Sequence, residues 1–143
     1  MAARVDPYKN FNFRVEIDGI TVAGFSECSG LESEVAVIEY REGADISVRK
    51  LPGLAKFGDV TLKRGITKSS ALQDWHRNIL KGVPDRKDVA VILMDDEKNP
   101  VVLWRLSHTF PRKWQGPTLR GDGNEVAIET LELCCEGLER ETL

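Results

Sequence analysis

The feature that most constrains this sequence is an alternation of apolar and polar side chains with a period of two. It is clearest at residues 11–18, which read Phe11, Asn12, Phe13, Arg14, Val15, Glu16, Ile17 and Asp18. A period of two is that of a β-strand with one face in a core and the other in water. Further strand patterns occur at residues 34–42, 58–65, 89–94 and 101–110. The sequence therefore predicts a β-rich domain.

Turn signals join some of these strands. Asp18-Gly19 precedes a second apolar run at 20–23, and such a pair between alternating runs is typical of a type I′ hairpin. The strands at 89–94 and 101–110 are separated by a charged turn, so we expect a second hairpin there. In the later strand, alternate side chains from Val102 to Phe110 are predicted to share an apolar face. We interpret His108, on that face, as a structural histidine.

One helix is predicted at about residues 70–81. Ser70 and Gln73 have the spacing of a capping box, in which two side chains satisfy free backbone N–H groups of the first turn. Apolar residues then recur at helical spacing, and they are Leu72, Trp75, Ile79 and Leu80. We expect this stripe to be buried, with Trp75 as a core anchor. Gly82 follows the last turn, where glycine commonly ends a helix.

Residues 43–57 follow neither periodicity. The segment is long for a connection in a small domain, and connections of that length are usually functional or disordered. It is also too apolar for a solvated loop, since it contains Ile46, Val48, Leu51 and Leu54. Exposed apolar groups in such number are typical of a contact surface. We interpret 43–57 as a loop inserted between strands.

Residues 124–138 are compatible with two structures. Their Glu and Leu content favours a helix, with Ile128, Leu131 and Cys135 on one stripe. The same residues also alternate as a strand does, with Leu131, Leu133 and Cys135 facing in and Glu132 and Cys134 facing out. The residues alone leave both structures open.

Length and composition fit a single domain over residues 1–143. The chain has 143 residues, of which 41% are hydrophobic and 30% charged, the balance of a globular protein. A net charge of −3 gives no electrostatic basis for binding nucleic acid. No apolar run approaches the roughly 20 residues of a membrane helix. Residues 1–10 lack the apolar stretch of a signal peptide, so we expect synthesis in the cytoplasm without classical secretion.

The sequence has no motif of an enzyme, cofactor site or metal site. Phosphate-binding loops, dinucleotide fingerprints and nucleophile elbows do not occur in it. Cys28, Cys134 and Cys135 are interpreted as reduced, buried thiols, and neither histidine lies at a zinc-like spacing from them. Glu27 beside Cys28 would raise the pKa of that thiol and disfavour a nucleophile. The residues thus predict a non-enzymatic α+β protein, mainly β, built as a sandwich or barrel.

Four long segments carry a resemblance to a known family. They are FRVEIDGITVAGFSECSGLESEVAVIEYREG at 13–43, LPGLAKFGDVTLKRGIT at 51–67, WRLSHTFPRKWQGP at 104–117 and NEVAIETLELCCEGL at 124–138. In this order, over nearly the whole chain, they resemble the phage tail tube protein family. More narrowly, they resemble the inner tube subunits of phage-like contractile injection systems.

The resemblance implies a tail-tube β-sandwich or barrel with one flanking helix, and strands rather than a helix at 124–138. It also implies that subunits join into a ring-wide β-barrel, and that hexameric rings stack into a rigid tube inside a sheath. The function would be structural, as a conduit for cargo, with sheath, baseplate, spike and tube-cap proteins as partners. The particle would be a phage tail or a tail-like particle, cytoplasmic or released. The alternatives are a type VI secretion tube protein and a monomeric β-barrel that binds a small molecule.

The resemblance also assigns roles to two sets of residues. The loop 43–57 would reach a neighbouring subunit across the ring-to-ring contact, through Gly43, Asp45, Ile46, Val48, Arg49, Lys50, Leu51, Leu54, Lys56 and Phe57. Polar residues of the strands would line the lumen, and the candidates are Arg14, Glu16, Thr61 and Lys63. No catalytic, cofactor-binding or metal-binding residue is expected.

Overall fold

Strands dominate the computed structural model, which describes residues 6–18 and 24–143. In chain order the elements are β1 (Phe13–Ile17), β2 (Phe25–Ser29), β3 (Ser33–Tyr40), β4 (Arg49–Phe57), β5 (Val60–Gly65), α1 (Ala71–Leu80), β6 (Lys87–Met94), β7 (Pro100–Gln115), β8 (Ile128–Cys134) and β9 (Gly137–Thr142). The hairpin predicted at Asp18-Gly19 falls on residues 19–23, which lie outside the described residues.

Seven of these strands form one antiparallel sheet in the order β1-β6-β7-β8-β5-β2, and β9 also pairs with β7. The long strand β7 belongs to two parts of the sheet. Its N-terminal part pairs with β6 and β9, whereas its C-terminal part pairs with β8. We call β1, β6, β9 and the first part of β7 the first half, and β2, β5, β8 and the last part of β7 the second half. The predicted hairpin at 89–110 is confirmed as β6–β7.

The two halves pack face to face around one core. The first half contributes Val15, Ile17, Val89, Val91 and Leu106, and the second half contributes Val60, Leu62, Leu131 and Leu133. Leu72 and Trp75 of α1 complete the cluster, and the Trp75 indole N–H donates to the Asp85 carbonyl at 2.6 Å. The predicted β-sandwich with one flanking helix is therefore confirmed.

A bulge in β7 separates the two halves and overturns the predicted position of His108. Between the pairs Val89↔Leu106 and Lys87↔Thr109, β7 has two residues, Ser107 and His108, where β6 has one. His108 takes a φ of 50° and is exposed, while Thr109 is fully buried. The prediction that His108 shares the apolar face is wrong, because the extra residue moves the inward-facing positions from even to odd numbers.

Two details of the helix differ from the sequence prediction. Ser70 is the N-cap residue, but its side chain makes no capping hydrogen bond to the backbone; its hydroxyl donates to the Asp74 carboxylate at 2.9 Å. The predicted capping box is therefore wrong. Leu80 is 72% exposed, because it is the last residue of the helix and lies beyond the turn that packs on the core.

The structure decides between the two possibilities at 124–138 in favour of strands. β8 alternates between buried and half-buried residues, with Leu131 and Leu133 in the core. Cys135 packs against the same core, as the strand alternative predicted. The strand structure that the family resemblance implied is confirmed.

The prediction of an irregular loop at 43–57 is wrong for residues 49–57. Arg49–Phe57 forms β4, which pairs with β3 from Ser33↔Phe57 to Tyr40↔Arg49. A register shift lies between Val35 and Val37, where Gly53 and Leu54 of β4 lie opposite Ala36 of β3. This bulge interrupts the alternation of β4, so the period of two is not visible in its sequence.

Candidate assembly surfaces

The hairpin of β3 and β4 stands apart from the sandwich, and we call residues 33–57 the arm. Its strands form a two-stranded sheet of their own and pair with each other. Every residue of β3 is exposed, and β4 is exposed except at Gly53 and Phe57. An isolated two-stranded hairpin is at best marginally stable in water, so the arm is a segment that gains from a partner.

Both faces of the arm carry an apolar patch. Directly paired residues point to the same side of a hairpin, so the register places Val35 and Val37 with Ala55 and Pro52 on one face. The opposite face carries Ile38 and Tyr40, paired with Leu51 and Arg49. Val37 is 62% exposed and Ile38 is 51% exposed, so residues 6–18 and 24–143 leave both patches uncovered.

Charges within the arm are largely matched across its strands. Glu39 lies opposite Lys50, and Glu34 lies opposite Lys56. Opposite charges in such positions stabilise a hairpin modestly. At the turn, the Arg49 guanidinium lies 3.5 Å from the Asp45 carboxylate.

Two apolar side chains of the arm are almost fully exposed. Ile46, in the connection between the two strands, is 98% exposed, and Leu54, in the bulge, is 85% exposed. Side chains of this kind, displayed together on one projection, indicate a contact surface.

The root of the arm is a close crossing of two chain segments. Gly30 has a φ of +91°, and a side chain there would collide with the Asp59 carbonyl. The Gly58 N–H donates to the Glu32 carbonyl at 3.0 Å, and a side chain at Gly58 would collide with that of Glu32. Glycine is needed at Gly30, because the φ is positive and the backbone of Asp59 approaches too closely for a Cβ. At Gly58 a Cβ would require the Glu32 side chain to move.

An ion-pair cluster fastens this root to the sheet. The Arg112 guanidinium of β7 lies 2.8 Å from the Asp59 carboxylate and 2.6 Å from that of Glu132 in β8. The two carboxylates raise the pKa of Arg112 above its usual value, Glu132 by the larger amount. Sequence analysis missed this cluster, since its members are distant along the chain and no local pattern connects them.

The outer face of the second half is lined by polar side chains, which form two rows across its four strands. One row is Glu27, Lys63, Thr130 and Gln115, and the other is Ser29, Thr61, Glu132 and Lys113. The Lys63 ammonium lies 3.1 Å from the Glu27 carboxylate. This face presents hydroxyl, amide and balanced charged groups to solvent.

The other two candidate luminal residues lie on the outer face of the first half. Arg14 and Glu16 form an exposed ion pair at 3.3 Å on β1. Their rows across the sheet include the apolar residues Ile92 and Leu103. The halves of a sandwich point their outer faces in opposite directions, so the structure does not bring the Arg14 pair and the Lys63 pair onto one surface.

The described residues show little that favours catalysis. Burial, together with the neighbouring Glu27 carboxylate, raises the pKa of the Cys28 thiol to about 11, and a thiol in this state is a poor nucleophile. Burial also raises the pKa of Cys135. No group of His, Cys, Asp and Glu in residues 6–18 and 24–143 is arranged to hold a metal ion. The helix that the structure describes does not have the length and apolar character needed to cross a membrane.

Comparison with known proteins identifies the family of this chain. The family model of the T4-like virus tail tube protein gp19 matches residues 9–139. The chain belongs to this tail tube protein family. No curated protein matches the sequence.

Solved structures show the same tail tube fold. A chain of an extracellular contractile injection system, the PVC sheath-tube complex in its extended state, has a TM-score of 0.87 and 24% identity, with 96% of this chain and 93% of that chain covered. A chain of the anti-feeding prophage baseplate has a TM-score of 0.85 and 26% identity, with 97% and 98% covered. Hcp1 from Flavobacterium johnsoniae is less similar, with a TM-score of 0.56, 12% identity and 93% and 97% covered.

Proposed function

We propose that this tail tube protein is the structural subunit of the inner tube of a contractile injection system, assembled as hexameric rings that stack inside a sheath. The observation that carries the proposal is the arm, a two-stranded hairpin with both faces uncovered, on a chain of the tail tube family. In a monomer the apolar side chains on both faces of this hairpin would remain exposed to water. A subunit that stacks on copies of itself can bury it.

Free strand edges support closure into a ring. In the second half, β2 pairs with β5, and the last part of β7 pairs with β8, so among the described strands an outer edge remains at each side of this four-stranded segment. Unpaired edges are an aggregation hazard that closure removes. A head-to-tail contact from the β2 edge of one subunit to the β7 edge of the next would give one barrel around the ring.

In this arrangement the second half lines the lumen. Its outer face has polar side chains in both rows and carries the candidate luminal residues Thr61 and Lys63. The Lys63–Glu27 and Arg112–Glu132 pairs balance charge along the wall, so the lumen has a modest net charge. Arg14 and Glu16 then face away from the lumen, since they lie on the opposite side of the sandwich.

The arm would make the contacts between rings. Its assembly residues are those of the predicted segment, namely Gly43, Asp45, Ile46, Val48, Arg49, Lys50, Leu51, Leu54, Lys56 and Phe57. The apolar members would supply the buried area of the contact. The charged members would set its register more than its affinity.

The partners of the tube follow from the particles in which similar chains occur. Those particles include a sheath-tube complex, a tube-terminating cap and a baseplate. We extend these partners to this chain, with cargo carried in the lumen and no catalysis by the subunit. The type VI alternative is less well supported, because the Hcp-type structures are less similar in fold.

The assembly state of the purified protein tests the proposal. Light scattering and negative-stain microscopy of the protein, alone and with a baseplate component, should show rings of six subunits and tubes. A stable 16.0 kDa monomer under both conditions, at high concentration, would contradict the proposal and favour the monomeric small-molecule binder.

A further inference from the structure

We propose that the arm is bound on both faces at once, by two different copies of this chain: its root-side patch by a neighbour in the same ring, and its tip-side patch by a subunit of the next ring. This inference rests on the tube function proposed above. It deepens that function by naming which part of the arm meets which partner.

The first step is that a hairpin with a single partner needs a single apolar face. The arm has two. The root-side patch consists of Val35, Val37, Pro52 and Ala55, and the tip-side patch consists of Ile38, Tyr40 and Leu51. Val37 and Ile38 are exposed to similar degrees, 62% and 51%, so neither patch is held against the arm's own sandwich.

The second step is that the two patches lie at different heights along the arm. On the first face the charged pair Glu39–Lys50 lies toward the tip, so the apolar patch lies toward the root. On the second face the charged pair Glu34–Lys56 lies toward the root, so the apolar patch lies toward the tip. The patch centres are separated by about three residues, or about 10 Å at the rise of a strand.

The third step assigns a partner to each patch. β3 begins four residues after β2 ends, and β4 ends three residues before β5 begins. The root-side patch is thus continuous with the sheet segment whose edges close the ring, which places it next to a lateral neighbour. The tip-side patch and the exposed Ile46 beyond it lie farther along the arm from its root, so in the proposed tube they would meet the next ring.

Paired substitutions separate the two contacts. Val35→Lys with Val37→Lys charges the root-side patch, and Ile38→Lys with Leu51→Lys charges the tip-side patch. Leu80→Lys with Val83→Lys is the matched control, because it adds the same charge at exposed apolar positions outside the arm. All these positions are exposed, so each variant should keep the circular dichroism spectrum and thermal midpoint of the unmodified protein.

The expected results differ between the variants. The tip-side variant should form hexameric rings that do not stack, as seen by light scattering and negative-stain microscopy. The root-side variant should remain monomeric at concentrations where the tip-side variant is a hexamer. The control should form tubes of normal length.

Two results would overturn the inference. If both patch variants form rings that fail to stack, the arm meets only the next ring. If either variant forms normal tubes, its patch is not a contact. Absence of rings and tubes from the unmodified protein is a different result, since it removes the proposed function itself and this inference with it.

Discussion

β4 and β5 are consecutive strands of one chain, yet their surroundings are opposite. β5 alternates buried and half-buried residues, because it lies between β2 and β8 and packs on the core. β4 pairs with β3 and is exposed along most of its length. Both strands contain leucine, so hydrophobicity alone does not separate them. What differs is whether the described part of the chain supplies a partner, and in the proposed tube the partner of the arm is another copy of the chain.

Removal of the arm should have the largest effect on assembly and a small effect on the fold. Replacement of residues 45–56 by a short Gly/Ser linker should leave a folded sandwich, because the core residues all lie outside the arm. The variant should form no long tubes in negative-stain images. Tubes of normal length would contradict the assembly role, and loss of the native circular dichroism spectrum would show that the arm belongs to the folding unit.

The sandwich and the arm should respond differently to the loss of a large side chain. Trp75→Ala should lower the free energy of unfolding by about 3–5 kcal/mol, since it removes a buried ring from the core. Ile46→Ala should leave it nearly unchanged, because Ile46 is 98% exposed. Urea unfolding followed by circular dichroism measures both. A near-zero cost for Trp75→Ala would mean that α1 packs through another face.

Two ion pairs, one buried and one exposed, should differ in the same way in their contribution to stability. The Arg64 guanidinium lies 2.7 Å from the Glu129 carboxylate, with side chains 4% and 5% exposed, and also donates to the Ser69 carbonyl at 3.2 Å. Glu129→Gln should cost about 3–5 kcal/mol, because it leaves a buried cation without its counter-charge. Glu27→Gln, in the exposed pair with Lys63, should cost no more than about 1 kcal/mol. Equal costs in urea unfolding would contradict the assigned difference in burial.

A further expected effect is a pH dependence of stability from Cys28. Its pKa is about 11 in the folded protein, against 9.0 for the free group, so the folded state keeps a proton that the unfolded state loses. This contribution to stability is full below pH 9 and declines as the pH rises toward 11. Relative to Cys28→Ala, the unmodified protein should therefore lose unfolding free energy between pH 9 and 11.

An alkylation experiment extends this comparison to the arm. Cys28 should react slowly with iodoacetamide at pH 8, whereas a cysteine introduced by Val37→Cys should react quickly because it is exposed. Parallel stability curves for the unmodified protein and Cys28→Ala, or equally fast alkylation at both sites, would contradict the assigned burial of Cys28.

The sequence predicted what depends on short-range periodicity. β1, β5 and the first part of β7 follow the period of two, β6 contains a continuous apolar run at 89–94, and α1 follows the helical spacing of Leu72 and Trp75. At 124–138 the local preferences for helix and strand were balanced, so only the family resemblance could favour β8 and β9. The structure of this segment is set by pairing with β5 and β7, which are distant along the chain.

The parts that sequence analysis missed depend on interruptions or on distant partners. The bulge at Gly53 and Leu54 concealed the period of β4, and the bulge at His108 reversed the inward-facing positions of β7. The Arg64–Glu129 pair and the Asp59–Arg112 pair join residues 65 and 53 positions apart. No rule of spacing identifies such pairs before the strands are in register.

The shared strand β7 has a mechanical consequence. This 16-residue strand, about 50 Å of extended chain, runs through both halves of the sandwich and is hydrogen-bonded to β6, β9 and β8 along its length. Sliding one half past the other would require many backbone hydrogen bonds to break together. Two sheets held together by side-chain packing alone would slide more easily. A stack of such subunits would therefore transmit an axial force with little shear deformation within each subunit.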